Sequence, residues 1–509
     1  MLSKTIVKNT ALLTLASVFM RAAGLVFQIW LSNRIGAEGL GMFQLVMSVN
    51  IFASTVALSG IRFAATRLIA EEIGKNNPGG TVKALTTCMV YAGVCGVLVL
   101  MILYFGADYI GRTVIGQAET VASLRILALS LPFFSLSAVL SGYFTAVQRV
   151  AKTAAVSVIE QLTRIGVIVL LLAAVEDGDI EHACASIVIG GLAGNAVSFV
   201  LHYILCLHDR RVHLRGGGEG KSITRRMFSI SVPLAVSAYT RTALVSAQNL
   251  LIPRGLERSG LSGARALADY GTIDGMVFPV ITFPSALFYA LADTLMPELT
   301  AAQVAGKTGH IKSLVGELLR KCFAFSVGVT CVLFAFSGEL GEVIYNSDDV
   351  GHYIRVLSLL MPFMYMDSVT DGMLRGLGQH LYSMKVNIAD AVISLGLVVF
   401  LLPKYAVYGY IFVLYFSELF NFFLSIRRLK RVSRFDLPLI PLIRPIIAAL
   451  LSIVVTDLCT PPSDVTVVTL ILRIIMMLSS YCLILMIITP IKNDRRFASV
   501  KKGMCIKIS

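Results

Sequence analysis

Long runs of apolar residues recur along nearly the whole chain, separated by short polar segments. A helix needs about 20 mostly apolar residues to cross a bilayer, so runs of this length predict about fourteen membrane-crossing helices. Proline interrupts several runs, as at Pro132 and Pro362, which is tolerated where protein or a cavity satisfies the freed backbone groups. We therefore predict an all-α polytopic membrane protein. Its spans are centred near Arg21, Ile51, Gly96, Phe134, Gly166, Asn195, Arg241, Val280, Phe325, Phe363, Ile393, Leu414, Ala449 and Met477.

The composition excludes a soluble enzyme. Only 15% of the residues are charged, whereas a soluble protein needs about 25%. The mean hydropathy is +0.79. The sequence contains no P-loop, no G-x-S-x-G and no dinucleotide fingerprint, and its nine cysteines form no C-x-x-C pair. We expect neither catalysis nor a bound cofactor, and no metal site or disulfide framework.

The distribution of basic residues predicts the orientation in the membrane. With the N-terminus in the cytoplasm, most of the 44 lysines and arginines fall in cytoplasmic segments, as the positive-inside rule requires. The basic segment 210–226 is then cytoplasmic and the acidic loop 176–181 is outside. An even number of spans puts both termini in the cytoplasm. The net charge of +14 reflects this topology and an anionic leaflet, and it does not indicate nucleic-acid binding, because no base-stacking aromatics accompany it.

The sequence contains an internal repeat. Residues 124–149 match residues 354–379 at an offset of 230, with identities that include Pro132/Pro362 and Gly142/Gly372. Two halves of about six spans each would run in the same direction across the membrane, a plan that recurs in transporters with the binding site between the halves. We predict an N-terminal six-helix bundle at 1–208, a basic glycine-rich linker at 209–226, a second six-helix bundle at 227–430, two extra helices at 431–490 and a basic cytoplasmic tail at 491–509.

A polar stripe marks the first span of each half. Its residues are spaced i, i+4 and i+11, which puts them within about 40° of one helix face. An arginine at the bilayer centre costs at least about 2.5–3.5 kcal/mol, so it should face a cavity or a partner. One interpretation is an anion-binding site shared by the halves, and the alternative is pairing with intramembrane carboxylates. The stripes are Ser17, Arg21 and Gln28 in the first half, and Ser237, Arg241 and Gln248, at an offset of 220, in the second.

Acidic residues within the spans form a second set of candidates. Glu160 and Arg164 are spaced i, i+4, which favours a structural ion pair within one helix. Asp390 occupies the repeat position of Glu160 but has Ser394 where Arg164 stands. Glu160 and Asp390 are therefore both candidates for coupling transport to an ion, although the mutual neutralisation of Glu160 and Arg164 is the preferred interpretation of that pair.

A further pair of carboxylates lies in the tenth span. Asp367 and Asp371 are spaced i, i+4, and such a pair can share a proton or hold a cation. We interpret Asp371 as a residue at the cytoplasmic edge and Asp367 as a coupling candidate. The coupling itself is left open between Na⁺, H⁺ and the membrane potential. In the sixth span, Gly190-x-x-x-Gly194 predicts close helix packing.

Three segments resemble a known superfamily. They are NRIGAEGLGMFQLVMSVN (33–50), SGIRFAATRLIAEE (59–72) and VIEQLTRI (158–165). They are similar to the multidrug/oligosaccharidyl-lipid/polysaccharide flippases, and most of all to the polysaccharide-biosynthesis and stage V sporulation protein B branch. The resemblance implies a V-shaped transporter of two bundles in the bacterial cytoplasmic membrane. The chain departs from the pattern at Phe27 and Gln28, where lipid II flippases carry a second arginine, and at Arg62, where the sporulation branch usually has proline.

Together these observations predict a flippase for a lipid-linked oligosaccharide or cell-wall precursor. Arg21 and Arg241 would hold the diphosphate, with the glutamines and serines of the stripes bonding it or the sugar. The alternatives are a cation-coupled antiporter, which should carry a carboxylate deep in the first or seventh span, and a non-transporting scaffold of envelope or spore-cortex synthesis. We expect a monomer whose partners are the lipid-linked sugar, membrane lipids and envelope-synthesis enzymes. The sequence does not distinguish capsule, peptidoglycan and spore-cortex precursors.

Overall fold

The structure is a computed structural model that describes residues 2–176, 178–213, 223–285, 288, 298–435, 439–459 and 466–489. The side chains of residues 2–18, 210–213, 439 and 441 lie outside this description, as do most of the predicted linker and the whole predicted tail. Nearly every described residue is helical, and none lies in a strand. The helices are α1 Leu2–Leu58, α2 Ile61–Gly74, α3 Pro78–Tyr109, α4 Thr120–Ala146, α5 Val150–Leu172, α6 Ile180–His213, α7 Ile223–Arg258, α8 Gly263–Tyr270, α9 Phe278–Thr282, α10 Thr308–Ala335, α11 Ser337–Tyr345, α12 Asp348–Ser358, α13 Met361–Gly376, α14 His380–Ser433, α15 Leu439–Cys459 and α16 Val467–Ile488.

The number of crossings agrees with the predicted fourteen. Ten helical stretches in the described part are long and apolar enough to span a membrane. Two of them are too long for one crossing, since α14 alone has 54 residues and a helix rises about 1.5 Å per residue through a core of about 30 Å. They break at Gly36 (φ 72°) and Ala406 (φ 48°). The broken helical stretches 263–285 and 348–376 would supply the remaining two of the predicted crossings.

The chain reverses at the kink in α14. A Cβ atom built on Gly409 would lie 2.9 Å from the carbonyl oxygen of Leu401. In an uninterrupted helix these residues would be about 12 Å apart along the axis. The two parts of α14 therefore form a hairpin and cross the membrane in opposite directions.

The internal repeat is visible in the backbone. Helix α4 ends at Ala146 and α13 ends at Gly376, again at an offset of 230. Left-handed residues follow the same rule, and each pair contains one glycine, which adopts this conformation without strain. The pairs are Asn76 (φ 52°) and Gly306 (φ 66°), Gly116 (φ 87°) and Asn346 (φ 49°), and Gln148 (φ 58°) and Gly378 (φ 67°).

The helices pack first within each half and then across the two halves. In the first half α4 contacts α3 and α6, and α5 contacts α6; in the second half α14 contacts α7 and α13. Helices α15 and α16 pack on each other and on α10. Across the halves, α1 contacts α7 and α8, and α2 contacts α7. The backbones of α1 and α8 touch at Gly41, where a Cβ atom would overlap the carbonyl group of Leu267.

Glycines also set the distance between α5 and α6. A Cβ atom on Gly190 would overlap Ile168 and lie 3.0 Å from the carbonyl oxygen of Arg164. A Cβ atom on Gly194 would lie 3.2 Å from the carbonyl oxygen of Glu160. The close contact expected for Gly190-x-x-x-Gly194 is therefore present, and it seats α6 directly against the turn that carries Glu160 and Arg164.

Candidate functional site

A crevice lies where the two halves meet beside the first helix. Its volume is about 270 Å³, and its lining includes Arg21 and Gln28 of α1, Gln44 beyond the kink, and Pro279 of α9. Arg21 is exposed and Gln28 is half-buried. The Nε2 atom of Gln28 donates a hydrogen bond to the carbonyl oxygen of Gly275 at 3.0 Å. The crevice therefore presents a cationic side chain between the halves.

A larger cavity opens within the first half. It has a volume of about 670 Å³ and shares Gly24, Gln28 and Gln44 with the crevice, so the two adjoin. We call it the first-half cavity. Its wall comes from α1, α4, α5 and α6 and includes the rings of Phe27, Phe43 and Phe134. Its polar lining consists of Gln28, Gln44, Asn50, Ser54, Thr55, Ser130, Glu160, Gln161, Arg164 and Asn195.

The ion pair in this cavity is closed. Arg164 Nη2 donates to Glu160 Oε1 at 2.8 Å, and the two side chains are 37% and 24% exposed. Among the described lining residues these two are the only charged ones. The cavity wall therefore carries no net charge.

The other residues of the predicted stripes are not gathered here. Arg241 is exposed on α7 and Gln248 is half-buried, and neither is among the described residues that line the crevice or the first-half cavity. The hydroxyl of Ser237 donates to the carbonyl oxygen of Leu234 at 3.1 Å. The side chain of Ser17 lies outside the described residues. Of the six predicted binding residues, the structure brings together Arg21 and Gln28, and a cavity shared with Arg241 stays a prediction.

The coupling candidates of the second half lie near one another. Asp390 accepts hydrogen bonds from the hydroxyls of Ser394 at 3.1 Å and Ser417 at 2.9 Å. Glu418 lies within electrostatic range of Asp367 and Asp390. The Oδ1 atom of Asp367 is buried and has no hydrogen-bond partner in the described part of the chain. We call Asp367, Asp390 and Glu418 the carboxylate cluster.

The carboxylate cluster attracts positive charge without forming a metal centre. Among the described residues, no three histidine, cysteine, aspartate or glutamate side chains are arranged to hold a metal ion. We do not include Asp371 in the cluster, because Arg375 donates a hydrogen bond to it at 3.3 Å. Asp367, Asp390 and Glu418 therefore stay candidates for coupling to an ion.

Ion pairs join the two halves where α2 contacts α7. Arg226 Nη1 lies 2.9 Å from Glu72 Oε1, and Arg226 Nη2 pairs with Glu71. Glu72 is nearly buried and also pairs with Lys75 at 3.0 Å. Arg226 is thus the member of this network that ties α7 to α2.

Sequence reasoning missed most of the amides in the first-half cavity. Gln44 and Asn50 lie in the segment 33–50 and Gln161 in the segment 158–165, but the resemblance of these segments to a superfamily assigns no role to the amides. Their shared signal is an amide within a predicted span, which costs less than a charge and is correspondingly harder to interpret. Only the fold brings α1, α5 and α6 around one space.

The fold and the site define a polytopic helical transporter with a polar crevice between two repeated halves. The chain belongs to the polysaccharide biosynthesis protein family, whose pattern matches residues 6–299. It is 23% identical over 404 residues to the stage V sporulation protein B of Bacillus subtilis (strain 168), a match that covers 78% of each chain. It is 21% identical over 374 residues to the lipid II flippase MurJ of the same organism, covering 69% of this chain and 68% of that one.

Solved structures give the same picture of the fold. A lipid II flippase MurJ in an inward closed conformation superimposes with a TM-score of 0.70 at 14% identity, covering 93% of this chain and 98% of that one. An inward-facing multidrug resistance MATE family transporter of the MOP superfamily gives a TM-score of 0.63 at 14% identity, over 82% and 96% of the two chains. The predicted fold class and superfamily are confirmed. The chain is a multi-pass membrane protein, and its relatives include proteins named as a flippase and a transporter.

Proposed function

We propose that the protein flips a lipid-linked oligosaccharide across the bacterial cytoplasmic membrane by alternating access between its halves. The observation that carries the proposal is Arg21, which lines a crevice formed by both halves and adjoining a polar cavity of neutral charge. A polyprenyl diphosphate is an anion on an apolar tail, so the tail can stay in lipid while a guanidinium binds the diphosphate through paired hydrogen bonds. The likeness to the lipid II flippase supports this kind of cargo.

The second half would complete the site as the halves move. Arg241 lies at the repeat position of Arg21, and its exposure on α7 leaves it accessible to substrate. In this proposal Gln28 and Gln248, with Ser17 and Ser237, bond the diphosphate or the first sugar. Rocking of the halves would alternate access to the two sides. We also propose that both termini are cytoplasmic and that the protein acts as a monomer alongside envelope-synthesis enzymes.

The carboxylate cluster is the proposed coupling site. Asp367 and Asp390 lie in the second half, away from the crevice residue Arg21, and Glu418 adds a third carboxylate near them. Uptake and release of Na⁺ or H⁺ there would drive the motion, or the membrane potential would act on the cluster's charge. Glu160 is a weaker coupling candidate because Arg164 already neutralises it.

A cation-coupled antiporter is the second candidate function. The carboxylate cluster and the likeness to a multidrug transporter fold favour it. Against it stands the crevice, where the described charged side chain is a cation, Arg21. A cationic drug would be repelled there, whereas a diphosphate would be attracted.

Transport in proteoliposomes tests the proposal. Polyprenyl diphosphates carrying different sugars should be flipped by the wild-type protein, and Arg21→Ala or Arg241→Ala should abolish flipping with membrane levels unchanged. Arginine-to-lysine variants should have intermediate flipping activity, because lysine keeps the positive charge but lacks the planar guanidinium that binds a phosphate through paired hydrogen bonds. Arg258→Ala, at the exposed end of α7, is the matched control. An active Arg21→Ala/Arg241→Ala double variant would overturn the flippase site, and no flipping by the wild-type protein would favour a scaffold.

A further inference from the structure

The first-half cavity contains amide groups whose hydrogen-bonding capacity the protein does not use. Gln44, Gln161 and Asn195 line the cavity and are half-buried. Their side chains form no hydrogen bond with any described residue. Each primary amide offers two N–H donors and two acceptor lone pairs. Leaving such groups partly buried without partners is unfavourable unless water or a ligand satisfies them.

The charge of the cavity restricts what that ligand can be. Its described charged residues are Glu160 and Arg164, which neutralise each other. A ligand with a net charge would find no counter-charge inside, and the desolvation of its charge would oppose binding. The volume of about 670 Å³ lies in the range of small-molecule pockets, about 300–1,000 Å³. An uncharged polar molecule of that size fits the wall.

The lining combines amides with aromatic rings. Phe27, Phe43 and Phe134 contribute apolar faces beside the free amides. A saccharide has hydroxyl groups that both donate and accept hydrogen bonds, and ring faces of C–H groups that pack on apolar surfaces. The cavity therefore offers both kinds of contact that an uncharged sugar makes.

The position of the cavity relative to Arg21 supplies the last step. A Cβ atom built on Gly24 would lie 3.8 Å from Gln161 Nε2, so this amide faces α1 one helical turn from Arg21. The crevice and the cavity also share Gln28 and Gln44. On the basis of the proposed function, we propose that the first-half cavity binds the sugar head group of the lipid, with the diphosphate at Arg21, and that it selects an uncharged saccharide.

The second half does not repeat this arrangement. At an offset of 230, Ala391 stands where Gln161 does, and it is buried. Ser425 stands where Asn195 does, and it is buried too. Gln161 and Asn195 thus have no amide counterpart in the second half, so in this proposal the first half recognises the sugar.

Binding to the full-length protein in nanodiscs tests the inference. Trp30 is the single tryptophan of the chain and stacks on Phe27 with ring centroids 5.9 Å apart, so its fluorescence reports on the cavity. Three probes are titrated: farnesyl diphosphate, the same diphosphate linked to an uncharged N-acetylhexosamine disaccharide, and one linked to a disaccharide containing a uronic acid. The uncharged sugar should tighten binding about tenfold over the bare diphosphate, and the uronic acid should not.

Variants separate the sugar site from the diphosphate site. Gln161→Leu and Asn195→Leu should lose the tightening by the uncharged sugar and keep the affinity for farnesyl diphosphate, which also demonstrates a folded crevice. Gln303→Leu, an exposed amide outside the cavity, should behave as wild type. Arg21→Ala should weaken all three probes.

The outcomes distinguish this inference from the proposed function. Equal affinity of the wild type for bare and sugar-bearing diphosphates, with both weakened by Arg21→Ala, would overturn the sugar site and leave the flippase proposal standing. Tight binding of the uronic acid probe would overturn the selection for uncharged sugars. Loss of farnesyl diphosphate binding in both leucine variants would also count against the sugar site. Unchanged binding of every probe in Arg21→Ala would instead contradict the proposed function.

Discussion

The side chain of Gln28 in the first half is hydrogen-bonded to the main chain of Gly275 in the second, from Nε2 to the carbonyl oxygen at 3.0 Å. Gly275 belongs to a π-helical stretch, Gly271–Val277, that follows α8. Such stretches interrupt the regular pattern of helix bonds and often occur at functional sites. The bond lies at the crevice beside Arg21 and joins the two halves, so it opposes their separation there.

Loss of this bond should open the crevice. In Gln28→Leu we expect the open state to gain about fivefold in population, because one hydrogen bond contributes about 1 kcal/mol. Spin labels at residues 119 and 342, exposed positions in the two halves, would report the distance distribution. Gln248→Leu, the repeat counterpart whose side chain lines no part of the crevice, should leave it unchanged. Identical distributions for wild type and Gln28→Leu would contradict this role.

Removal of the ion pairs between α2 and α7 should loosen the contact between the two halves. Arg226→Ala removes the side chain that bonds Glu71 and Glu72 from α7, whereas Glu72 keeps Lys75. We expect a severalfold faster reaction of a cysteine at position 24, inside the crevice, with a water-soluble thiol reagent in a chain otherwise free of cysteine. Arg67→Ala is the control, since Arg67 pairs with Glu71 inside α2 and is 68% exposed, and such surface pairs contribute little. Equal rates of thiol reaction in Arg226→Ala and Arg67→Ala would contradict the role of Arg226 in holding α7 against α2.

Neighbouring glycines of α6 should respond differently to alanine. Gly190→Ala would push a methyl group into Ile168, and overpacking of this kind costs about 1–3 kcal/mol. Gly191→Ala meets nothing within 4 Å because Gly191 borders the first-half cavity. We expect a lower Tm for Gly190→Ala and an unchanged Tm for Gly191→Ala in thermal unfolding of the purified protein. The packing described for α5 and α6 is wrong if the two variants melt together.

Neutralising the carboxylate cluster should separate coupling from binding. Asp367→Asn and Asp390→Asn should reduce transport driven by an imposed ion gradient or potential at least about tenfold while changing lipid affinity less than about twofold, because the cluster would act on the motion and not on the substrate. Asp371→Asn is the control, since Arg375 already balances that carboxylate. Full transport in both cluster variants would place coupling elsewhere, and lost substrate affinity would favour the antiporter.

Thiol labelling should reveal the orientation of the chain. A cysteine at Glu176 and one at Lys307, both exposed, should differ in intact cells. An impermeant reagent added outside should label position 176 and not position 307, because the positive-inside rule puts the basic loop in the cytoplasm. Labelling of position 307 alone would reverse the proposed topology.

The fold was largely predictable because its main signal is local. The length of an apolar run decides whether a helix can cross the bilayer, whatever the rest of the chain does. The internal repeat was also detectable in the sequence, since Pro132/Pro362 and similar pairs rarely match by chance. The turns at Asn76 and Gly306 gave no such signal, because different residues adopt the same backbone conformation there.

The site was predictable only along single helices. The spacing of Arg21 and Gln28 puts both on one face, and both line the crevice. Gln161 and Asn195 lie on α5 and α6 and reach a common cavity with Gln44 only through tertiary packing, which no spacing along the chain contains. Arg241 is not among the described residues that line the crevice. The repeat could not predict this, because a repeat position specifies the place on a helix and not the neighbours of that helix.

The left-handed turns of the two halves recur at matching repeat positions, the pattern that duplication of one ancestral segment would leave. In each pair, one copy carries glycine and the other carries asparagine or glutamine, although a side chain in this conformation costs about 1 kcal/mol more than glycine does. The strained residue falls in the first copy at Asn76 and Gln148 and in the second at Asn346. What both copies inherited is the path of the chain, so their side chains could diverge into an amide-lined cavity in one and a cluster of carboxylates in the other.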